Sequence, residues 1–145
     1  MSSIKSIMFV CLGNICRSPL AEVIARQKIS ELNLDIEVAS SGTIGYHEGN
    51  AACKLSIDIA KKNNIDLTNH KAQQFKEKHF NKYDLFIALD QSNFNDLEGY
   101  GLNLKKLGDF GFNGEDVPDP YYVGKIELVF DMIEKSITNL LNEIR

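Results

Sequence analysis

The residues best suited to chemistry lie near the amino terminus, in the segment Cys11-Leu12-Gly13-Asn14-Ile15-Cys16-Arg17-Ser18-Pro19. A cysteine thiolate is a strong nucleophile, and the planar guanidinium of Arg17 can bind two oxygens of a phosphoryl group. The Ser18 hydroxyl can donate a hydrogen bond to the sulfur of Cys11. A cysteine followed after five residues by Arg-Ser-Pro therefore predicts nucleophilic attack on a phosphate ester.

The backbone around this segment is expected to form an anion-binding loop. Residues 7–10 are continuously apolar, which is typical of a strand buried on both faces. Ser18 suits a helix N-cap, and Pro19 suits the first helical position because its missing N–H would have no partner there. Gly13 and Asn14 tolerate positive φ, so a kink at these residues can turn successive N–H groups inward. Such a cradle and the helix amino terminus both favour the thiolate form of the cysteine.

Apolar periodicity in the rest of the chain predicts alternating strands and helices. Strands are expected at residues 36–40, 85–89 and 104–107, and helices at residues 19–32, 52–63 and 126–144. This alternation predicts an α/β fold with a parallel sheet and helices on both faces, in one domain spanning residues 1–145. Ligands of such sheets bind beyond the carboxyl ends of the strands, where the Cys11 loop is expected to lie.

The composition argues against several classes of function. A formal net charge of −4 is unlike that of a broad nucleic-acid surface or a polybasic membrane patch. No apolar run approaches the roughly 20 residues that span a bilayer, and the segment from Met1 to Lys5 is too polar to open a secretory signal. We therefore expect a cytoplasmic protein with no nucleic-acid partner and no membrane insertion.

The three cysteines are too few, and odd in number, to indicate a disulfide scaffold. Neither they nor the three histidines show the spacing of a zinc site, so no metal or other cofactor is expected. Cys53 is interpreted as a packing residue. A further hypothesis concerns Cys16: when Cys11 is oxidised, this neighbouring thiol can trap it as a reversible disulfide.

Several segments resemble the low-molecular-weight protein tyrosine phosphatases, over nearly the whole chain. They are residues 10–22, which are similar to the family's phosphate-binding loop, and Ser40-Ser41-Gly42-Thr43, Asp90-Gln91-Ser92-Asn93 and Asp119-Pro120-Tyr121-Tyr122. The resemblance implies a three-layer αβα sandwich with a four-stranded parallel sheet in the flavodoxin-like order 2-1-3-4. It also implies hydrolysis of phosphotyrosine on proteins or peptides, and of small aryl phosphates, with inorganic phosphate as product and oxyanions as inhibitors.

The resemblance also implies roles for individual residues. Cys11 corresponds to the nucleophile that carries a phosphocysteine intermediate, Arg17 to the phosphate-binding residue and Asp119 to the general acid. The residues of a supporting hydrogen-bond network that holds the loop in shape are Asn14, Ser18, Ser40 and His70. The residues expected to contact the substrate are Leu12, Gly13, Asn14, Ile15, Cys16, Arg17, Ser18, Tyr46, Tyr121 and Tyr122.

Asp119 suits the role of general acid on physical grounds as well. A phenolate leaving group departs more readily when a positioned acid protonates it. Pro118 and Pro120 restrict the backbone on both sides and are expected to exclude a helix, leaving a fixed loop that presents one carboxyl group. An Asp-Pro pair alone usually marks a turn, so this prediction depends on the upstream motif.

Some positions depart from the family pattern, and one bears on specificity. Ala51 and Ala52 stand where the family usually has proline, Gln73 stands where it often has arginine, and the segment 98–112 is shorter than in longer members. Ile15 is apolar, as in members that act on tyrosine, whereas relatives that resemble arginine phosphatases carry threonine at the matching position. We therefore expect a preference for phosphotyrosine over phosphoarginine.

Three other functions share parts of this pattern. An arsenate reductase on the same scaffold needs further cysteines after the third strand, and none follows Cys53. A phosphocysteine carrier would not need both Arg17 and Asp119, and a silent phosphotyrosine-binding module would not need the full catalytic set. Release of inorganic phosphate over many turnovers distinguishes the hydrolase from the last two.

Overall fold

The computed structural model describes residues 4–145, except for the side chains of residues 122 and 123, and has a parallel β-sheet at its centre. The strands are β1 (Ser6–Cys11), β2 (Glu37–Gly42), β3 (Leu85–Ala88) and β4 (Leu104–Lys106). All neighbouring pairs are parallel and the order is β2-β1-β3-β4, which confirms the predicted sheet. β1 lies inside the sheet, and every one of its residues is buried, in accord with its continuous apolar sequence.

Within residues 4–145, five α-helices accompany the sheet: α1 (Arg17–Glu31), α2 (Lys54–Lys62), α3 (Gln91–Leu97), α4 (Pro120–Val123) and α5 (Ile126–Ile144). The long helices α1 and α5 were predicted from their apolar stripes, and α2 ends at the Asn63 cap as expected. α3 and α4 were not predicted, because both are short and carry no apolar period. Each helix instead begins after an aspartate N-cap, which is Asp90 for α3 and Asp119 for α4.

The helices cover the sheet on both faces, so the molecule has three layers. On one face the side chains of Ile7 and Phe9 pack against α1, α2 and α5 in the larger hydrophobic core. On the other face Met8 and Val10 pack with Phe86 and with Leu97 of α3 in a smaller one. The alternation along β1 places Cys11 on the same face as Phe9, beneath the start of α1.

The beginning of α1 differs from the prediction. The helix starts at Arg17 and its N-cap is Cys16, so Ser18 is the second helical residue and Pro19 the third. Proline is tolerated there because the first four N–H groups of a helix have no intrahelical partner. The Ser18 hydroxyl does not cap the helix; it contacts Cys11 Sγ at the end of β1 and accepts a hydrogen bond from Asn14 in the loop.

None of the helices in the described part of the chain is both long enough and apolar enough to cross a membrane.

Candidate active site

The loop between β1 and α1, residues 12–16, lies at the carboxyl edge of the sheet. Asn14 takes the left-handed conformation with φ of 58°, as its residue type allows. Gly13 does not, contrary to the expectation that both residues share the kink. A Cβ atom at Gly13 would lie 2.9 Å from Cδ2 of His47, so a larger residue there would displace the His47 ring.

The Cys11 side chain lies at the floor of this loop and is only 3% exposed. Its Sγ is 2.9 Å from the Ser18 hydroxyl oxygen, a contact that lets the hydroxyl donate to a thiolate. Cys11 is a free cysteine in this structure. The expected partnership of these two side chains is therefore present, although Ser18 lies inside the helix.

Asn14 connects the loop to two other parts of the chain. Its Nδ2 donates to Ser18 Oγ at 2.8 Å and to Ser40 Oγ at 2.9 Å. Its backbone carbonyl oxygen is 2.7 Å from Nε2 of His70. The structure thus brings together all the residues of the supporting network. Asn14 is wholly buried, and these hydrogen bonds satisfy its side-chain amide while its backbone keeps the strained left-handed conformation.

Two residues that the sequence analysis left without a site role complete this network. Gln73 donates its backbone N–H to Asn14 Oδ1 at 2.9 Å and its side-chain amide to the Ser40 carbonyl at 2.9 Å. Glu22 accepts a hydrogen bond of 2.5 Å from the Ser40 hydroxyl. Gln73 is the residue that stands where the family often has arginine. No sequence signal indicated that its neutral amide would bind the strand that carries Ser40.

β2 also holds the loop directly, by continuing its pairing beyond the end of β1. Thr43 N donates to the Cys11 carbonyl at 2.9 Å and Ile44 N donates to the Leu12 carbonyl at 3.1 Å. Gly42 stands at the closest approach: a Cβ atom on this residue would lie 2.7 Å from the Leu12 oxygen and 2.9 Å from the Gly13 carbonyl carbon. Only glycine allows the two backbones to approach so closely.

The backbone amides of the loop remain free to bind an anion. Across the described part of the chain, the N–H groups of residues 12–18 have no hydrogen-bond acceptor in the protein. Amides that follow a left-handed residue and lead into a helix amino terminus form a cradle for a phosphate or another oxyanion. The predicted anion-binding loop therefore has a backbone arrangement suited to it.

Arg17 is 6% exposed and is held by two acceptors at one end of its guanidinium group. Its Nη1 donates to Asp90 Oδ2 at 2.7 Å and to the Val117 carbonyl at 3.0 Å. Asp90 follows β3, in the segment Asp90-Gln91-Ser92-Asn93 that resembles the family. The strand order alone predicts that Asp90 lies near the loop after β1, because adjacent parallel strands end at the same edge of a sheet.

A second carboxylate, Asp116, orders the segment behind this pair. Lys106 Nζ lies 2.7 Å from its Oδ1, and the backbone N–H of Gln91 donates to the same oxygen at 2.9 Å. The hydrogen bond from Lys106 is the main cause that lowers the pKa of Asp116, and the Gln91 N–H and the positive charge of Arg17 act in the same direction. Asp116 is therefore held as a carboxylate, three residues before Asp119.

Asp119 begins the short helix α4 as its N-cap. Its Oδ1 accepts a hydrogen bond of 2.9 Å from the backbone N–H of Tyr121. The expectation that the flanking prolines exclude a helix was wrong, because Pro120 occupies the first helical position, where its fixed φ suits the helix and no N–H is needed. The two prolines were expected to fix the position of the carboxyl group. Its role as the helix N-cap does so instead.

These side chains meet at a cavity of about 410 Å³. It is lined by Cys11, Leu12, Gly13, Ile15, Cys16, Arg17, Ile44, His47, Asp119 and Tyr121. The cavity thus unites the three predicted catalytic residues, although they are separated by up to about a hundred positions in the chain. Asn14 and Ser18 do not line it; both are fully buried and support the loop from within.

The aromatic wall of the cavity differs in part from the prediction. Tyr121 lines the cavity and is 62% exposed. Tyr46 does not line it and is 84% exposed, with its ring edge-on to His47. His47, which the sequence analysis did not select, occupies the wall instead, because the loop turns the side chain after Tyr46 toward Gly13. Tyr122, also predicted to wall the substrate, has a side chain outside the described part of the structure.

Cys53 is buried, as a packing residue would be, but its sulfur forms a disulfide with Cys16. The interpretation of Cys53 as packing alone was therefore wrong. No pattern in the sequence indicated this pairing, because it depends on the start of α2 lying beside the backbone of the loop formed by residues 12–16. Among the residues described, no cluster of three or more His, Cys, Asp or Glu side chains is arranged to hold a metal ion.

Comparison with known proteins identifies the family. The family model described as low molecular weight phosphotyrosine protein phosphatase matches residues 6–145. The chain belongs to this family. Its membership makes the protein a hydrolase of the protein-tyrosine-phosphatase class. The phosphatase is also 40% identical over 144 residues to the low molecular weight protein-tyrosine-phosphatase PtpA of Staphylococcus aureus, an alignment that covers 95% of this chain and 92% of the relative.

Solved structures resemble the phosphatase over almost its full length. YfkJ of Bacillus subtilis superposes with a TM-score of 0.90 at 35% identity, covering 97% of this chain and 94% of that one. A protein tyrosine phosphatase of Entamoeba histolytica, with Hepes in its active site, gives 0.88 at 31% identity, with 96% of each chain covered. A Drosophila arginine phosphatase gives 0.85 at 26% identity, with 94% of this chain and 96% of that one covered. These similarities confirm the three-layer α/β fold.

Proposed function

We propose that the chain hydrolyses phosphotyrosine and small aryl phosphates through a phosphocysteine intermediate on Cys11. The observation that carries this proposal is that Cys11 and Asp119 line one cavity at the segment 12–18, whose N–H groups have no acceptor among the described residues. A phosphoryl group seated in the cradle would have its phosphorus above the sulfur and its leaving oxygen toward Asp119.

In the first step, the Cys11 thiolate forms a bond to phosphorus while the bond from phosphorus to the phenolic oxygen breaks. Asp119 gives its proton to that oxygen, so a neutral phenol leaves. In the second step, a water oxygen attacks phosphorus, the sulfur–phosphorus bond breaks and Asp119 takes the proton of the water. Inorganic phosphate is the product, and the thiolate and the carboxylic acid are restored.

Arg17 is assigned to binding the phosphoryl oxygens through both steps. Its two protein contacts are made by Nη1, and within the described residues its other guanidinium nitrogens have no acceptor in the protein. These N–H groups can bind two equatorial oxygens and stabilise the negative charge in the transition state. Asp90 has the role of a positioning residue, because its bond to Nη1 fixes the direction of the fork.

The preference for phosphotyrosine rests on the shape and polarity of the cavity. Ile15 presents an apolar side chain to it, and Tyr121 offers a ring for aromatic packing. Cys11, nearly inaccessible at the floor, suits the long phosphotyrosine side chain better than the short phosphoserine. The arginine phosphatase among the structural relatives makes phosphoarginine the second candidate substrate. A cytoplasmic location, argued from the composition, remains part of the proposal.

The experiment is steady-state phosphate release from phosphotyrosine, phosphoserine and phosphoarginine peptides by the wild type and by Cys11→Ser. We expect the wild type to have its highest kcat/KM on phosphotyrosine, and Cys11→Ser to show no turnover while still binding vanadate, because the cradle and Arg17 remain. Turnover by Cys11→Ser above the level of contaminating phosphatase would refute the covalent mechanism. A wild-type preference for phosphoarginine would refute the substrate assignment alone.

A further inference from the structure

All three cysteines of the chain meet at the phosphate-binding loop. Cys11 and Cys16 line the same cavity, and Cys16 is bonded on its other side to Cys53. Cys16 therefore lies between a free thiol and a disulfide partner. The chemistry proposed for phosphate hydrolysis uses Cys11 and leaves the Cys16–Cys53 pair without a role.

The backbone holds Cys16 and Cys53 at bonding distance independently of the sulfur link. Cys53 N donates to the Ile15 carbonyl at 2.6 Å, and Ser56 Oγ donates to the Cys16 carbonyl at 2.9 Å. The two Cα atoms are 5.2 Å apart, within the ordinary range for a disulfide. The bond can therefore form and break without rearrangement of the loop, and Cys11 keeps its contact with Ser18 while the bond is present.

Both members of the pair stand where a thiolate is favoured. Cys16 is the N-cap of the fifteen-residue helix α1, and Cys53 is the N-cap of the nine-residue helix α2. A helix amino terminus stabilises negative charge, and the thiolate is the form that attacks a disulfide. Neither side chain accepts a capping hydrogen bond from a backbone N–H of its own helix, and Cys53 Sγ contacts only the Ser56 hydroxyl of α2, at 3.4 Å, so N-capping does not explain the choice of cysteine at either position.

We propose that Cys16 and Cys53 form a thiol relay that removes oxidation from Cys11 and consumes hydroperoxide as it does so. The proposal rests on the nucleophilic Cys11 of the proposed function. In the first step the Cys11 thiolate attacks one oxygen of hydrogen peroxide; the O–O bond breaks, Cys11 becomes a sulfenic acid, and hydroxide leaves and is protonated to water.

The next two steps are thiol exchanges. The Cys16 thiolate attacks the sulfur of the sulfenic acid and the S–O bond breaks, so a Cys11–Cys16 disulfide forms and hydroxide leaves and is protonated to a second water. The Cys53 thiolate then attacks Cys16 Sγ, which forms the Cys16–Cys53 disulfide and releases Cys11 as a thiolate. Overall, two thiols and one peroxide yield one disulfide and two waters, and the phosphatase nucleophile is restored. An external dithiol would return the pair to the reduced form.

The test is a titration of pre-reduced protein with hydrogen peroxide, comparing the wild type with Cys53→Ser. Aryl phosphatase activity and disulfide-linked peptides are measured after each addition. The two proteins should start with equal activity, because Cys53 does not line the cavity. The wild type should keep its activity through the first equivalent and acquire a Cys16–Cys53 link. Cys53→Ser should lose activity from the first addition, acquire a Cys11–Cys16 link and recover with dithiothreitol.

Two results would overturn the relay. One is equal loss of activity in both proteins, with Cys11–Cys16 as the first stable link in each. The other is formation of the Cys16–Cys53 link at the wild-type rate in Cys11→Ser, which would mean that peroxide oxidises the pair directly. If Cys53→Ser does not fold, a time course on the wild type decides the matter, since the Cys11–Cys16 link must appear before Cys16–Cys53.

Failure of the proposed function is distinguishable from failure of the relay. It would appear in the untreated, reduced wild type as absence of aryl phosphate hydrolysis, before any peroxide is added. The order of disulfide formation does not depend on that measurement.

Discussion

The three residues assigned to catalysis are held by three different local devices. Cys11 is the last residue of a buried strand, so the sheet itself fixes its position. Arg17 is fixed by an ion pair to Asp90, which follows the neighbouring strand. Asp119 is fixed by capping a short helix, a role in which one carboxylate oxygen accepts a backbone hydrogen bond. Because the cap uses Oδ1, the other carboxyl oxygen is the one available for proton transfer.

Because the two carboxyl oxygens of Asp119 have different tasks, one substitution can separate helix capping from proton transfer. Asp119→Asn keeps an oxygen that can cap α4 but removes the transferable proton. We expect kcat to fall by about 10²–10⁴-fold on phenyl phosphate, the usual scale of general acid catalysis, and much less on a nitrophenyl phosphate, whose leaving group needs no proton. The measurement is kcat on aryl phosphates whose phenols span a range of pKa.

Asp116→Asn is the matched control, since it changes a nearby carboxylate that does not line the cavity. It should not alter the dependence of kcat on the leaving group. An equal loss on all substrates in Asp119→Asn would show that this residue acts through structure and not through proton transfer.

At the scale of the elements, the sheet and the long helices were predictable because the periodicity of apolar residues indicates which of their faces are buried. The continuous run of β1 and the stripe of α5 are examples. α3 and α4 were not predictable in this way, since their formation depends on an aspartate cap and on neighbouring backbone.

The same contrast holds within the site. The meeting of Cys11, Arg17 and Asp119 at one cavity was predictable because their spacing and neighbours form a restrictive pattern. The inward position of His47 and the pairing of Cys16 with Cys53 were not, because both depend on where a loop folds back onto the phosphate-binding loop. Such long-range contacts leave no local pattern in one sequence.

The contact between β2 and the phosphate-binding loop can be tested at Gly42. Gly42→Ala would place a methyl group 2.7 Å from the Leu12 carbonyl oxygen, and neither backbone can yield without moving the other. We expect a loss of about 1–3 kcal/mol in the free energy of unfolding, typical of overpacking, together with a fall in kcat/KM as the cradle shifts. Urea denaturation and aryl phosphatase kinetics measure the two effects.

Gly99→Ala is the matched control, because a Cβ atom there meets no atom within 4 Å and the residue has no left-handed backbone. It should leave both quantities unchanged. Normal activity in Gly42→Ala would show that the loop does not depend on this close approach.

At the scale of the whole molecule, the two faces of the sheet are packed by different means. The face that carries Cys11 is covered by long aliphatic helices, whereas the opposite face is covered by a cluster of aromatic rings around Phe75 and Phe86. His79 is buried within this second cluster, and its Nδ1 accepts a hydrogen bond of 3.0 Å from the backbone N–H of Lys76. An imidazole that accepts at Nδ1 must be unprotonated there, so the packing of this face requires neutral His79.

The global stability should therefore fall in mild acid through His79. Burial is the main cause that lowers its pKa, and the charges of Lys78, Lys82 and Lys76 lower it further. Since the folded pKa lies below the unfolded value of about 6.5, the unfolded chain binds more protons as the pH drops below that value. The stabilisation that depends on neutral His79 is complete above about pH 6.5. Below that pH the free energy of unfolding decreases, by at most about 1.4 kcal/mol per pH unit.

The measurement is the free energy of unfolding in urea from about pH 7.5 to about pH 5, a range in which ordinary carboxylates stay ionised. His79→Asn offers an acceptor in place of Nδ1 but cannot titrate, so it should be less stable at pH 7.5 and lose less stability on acidification than the wild type. His47→Asn is the control, because it removes a histidine that lines the cavity and not the aromatic face, and it should not reproduce the effect of His79→Asn. An unchanged slope in His79→Asn would assign the acid sensitivity to groups outside the aromatic face.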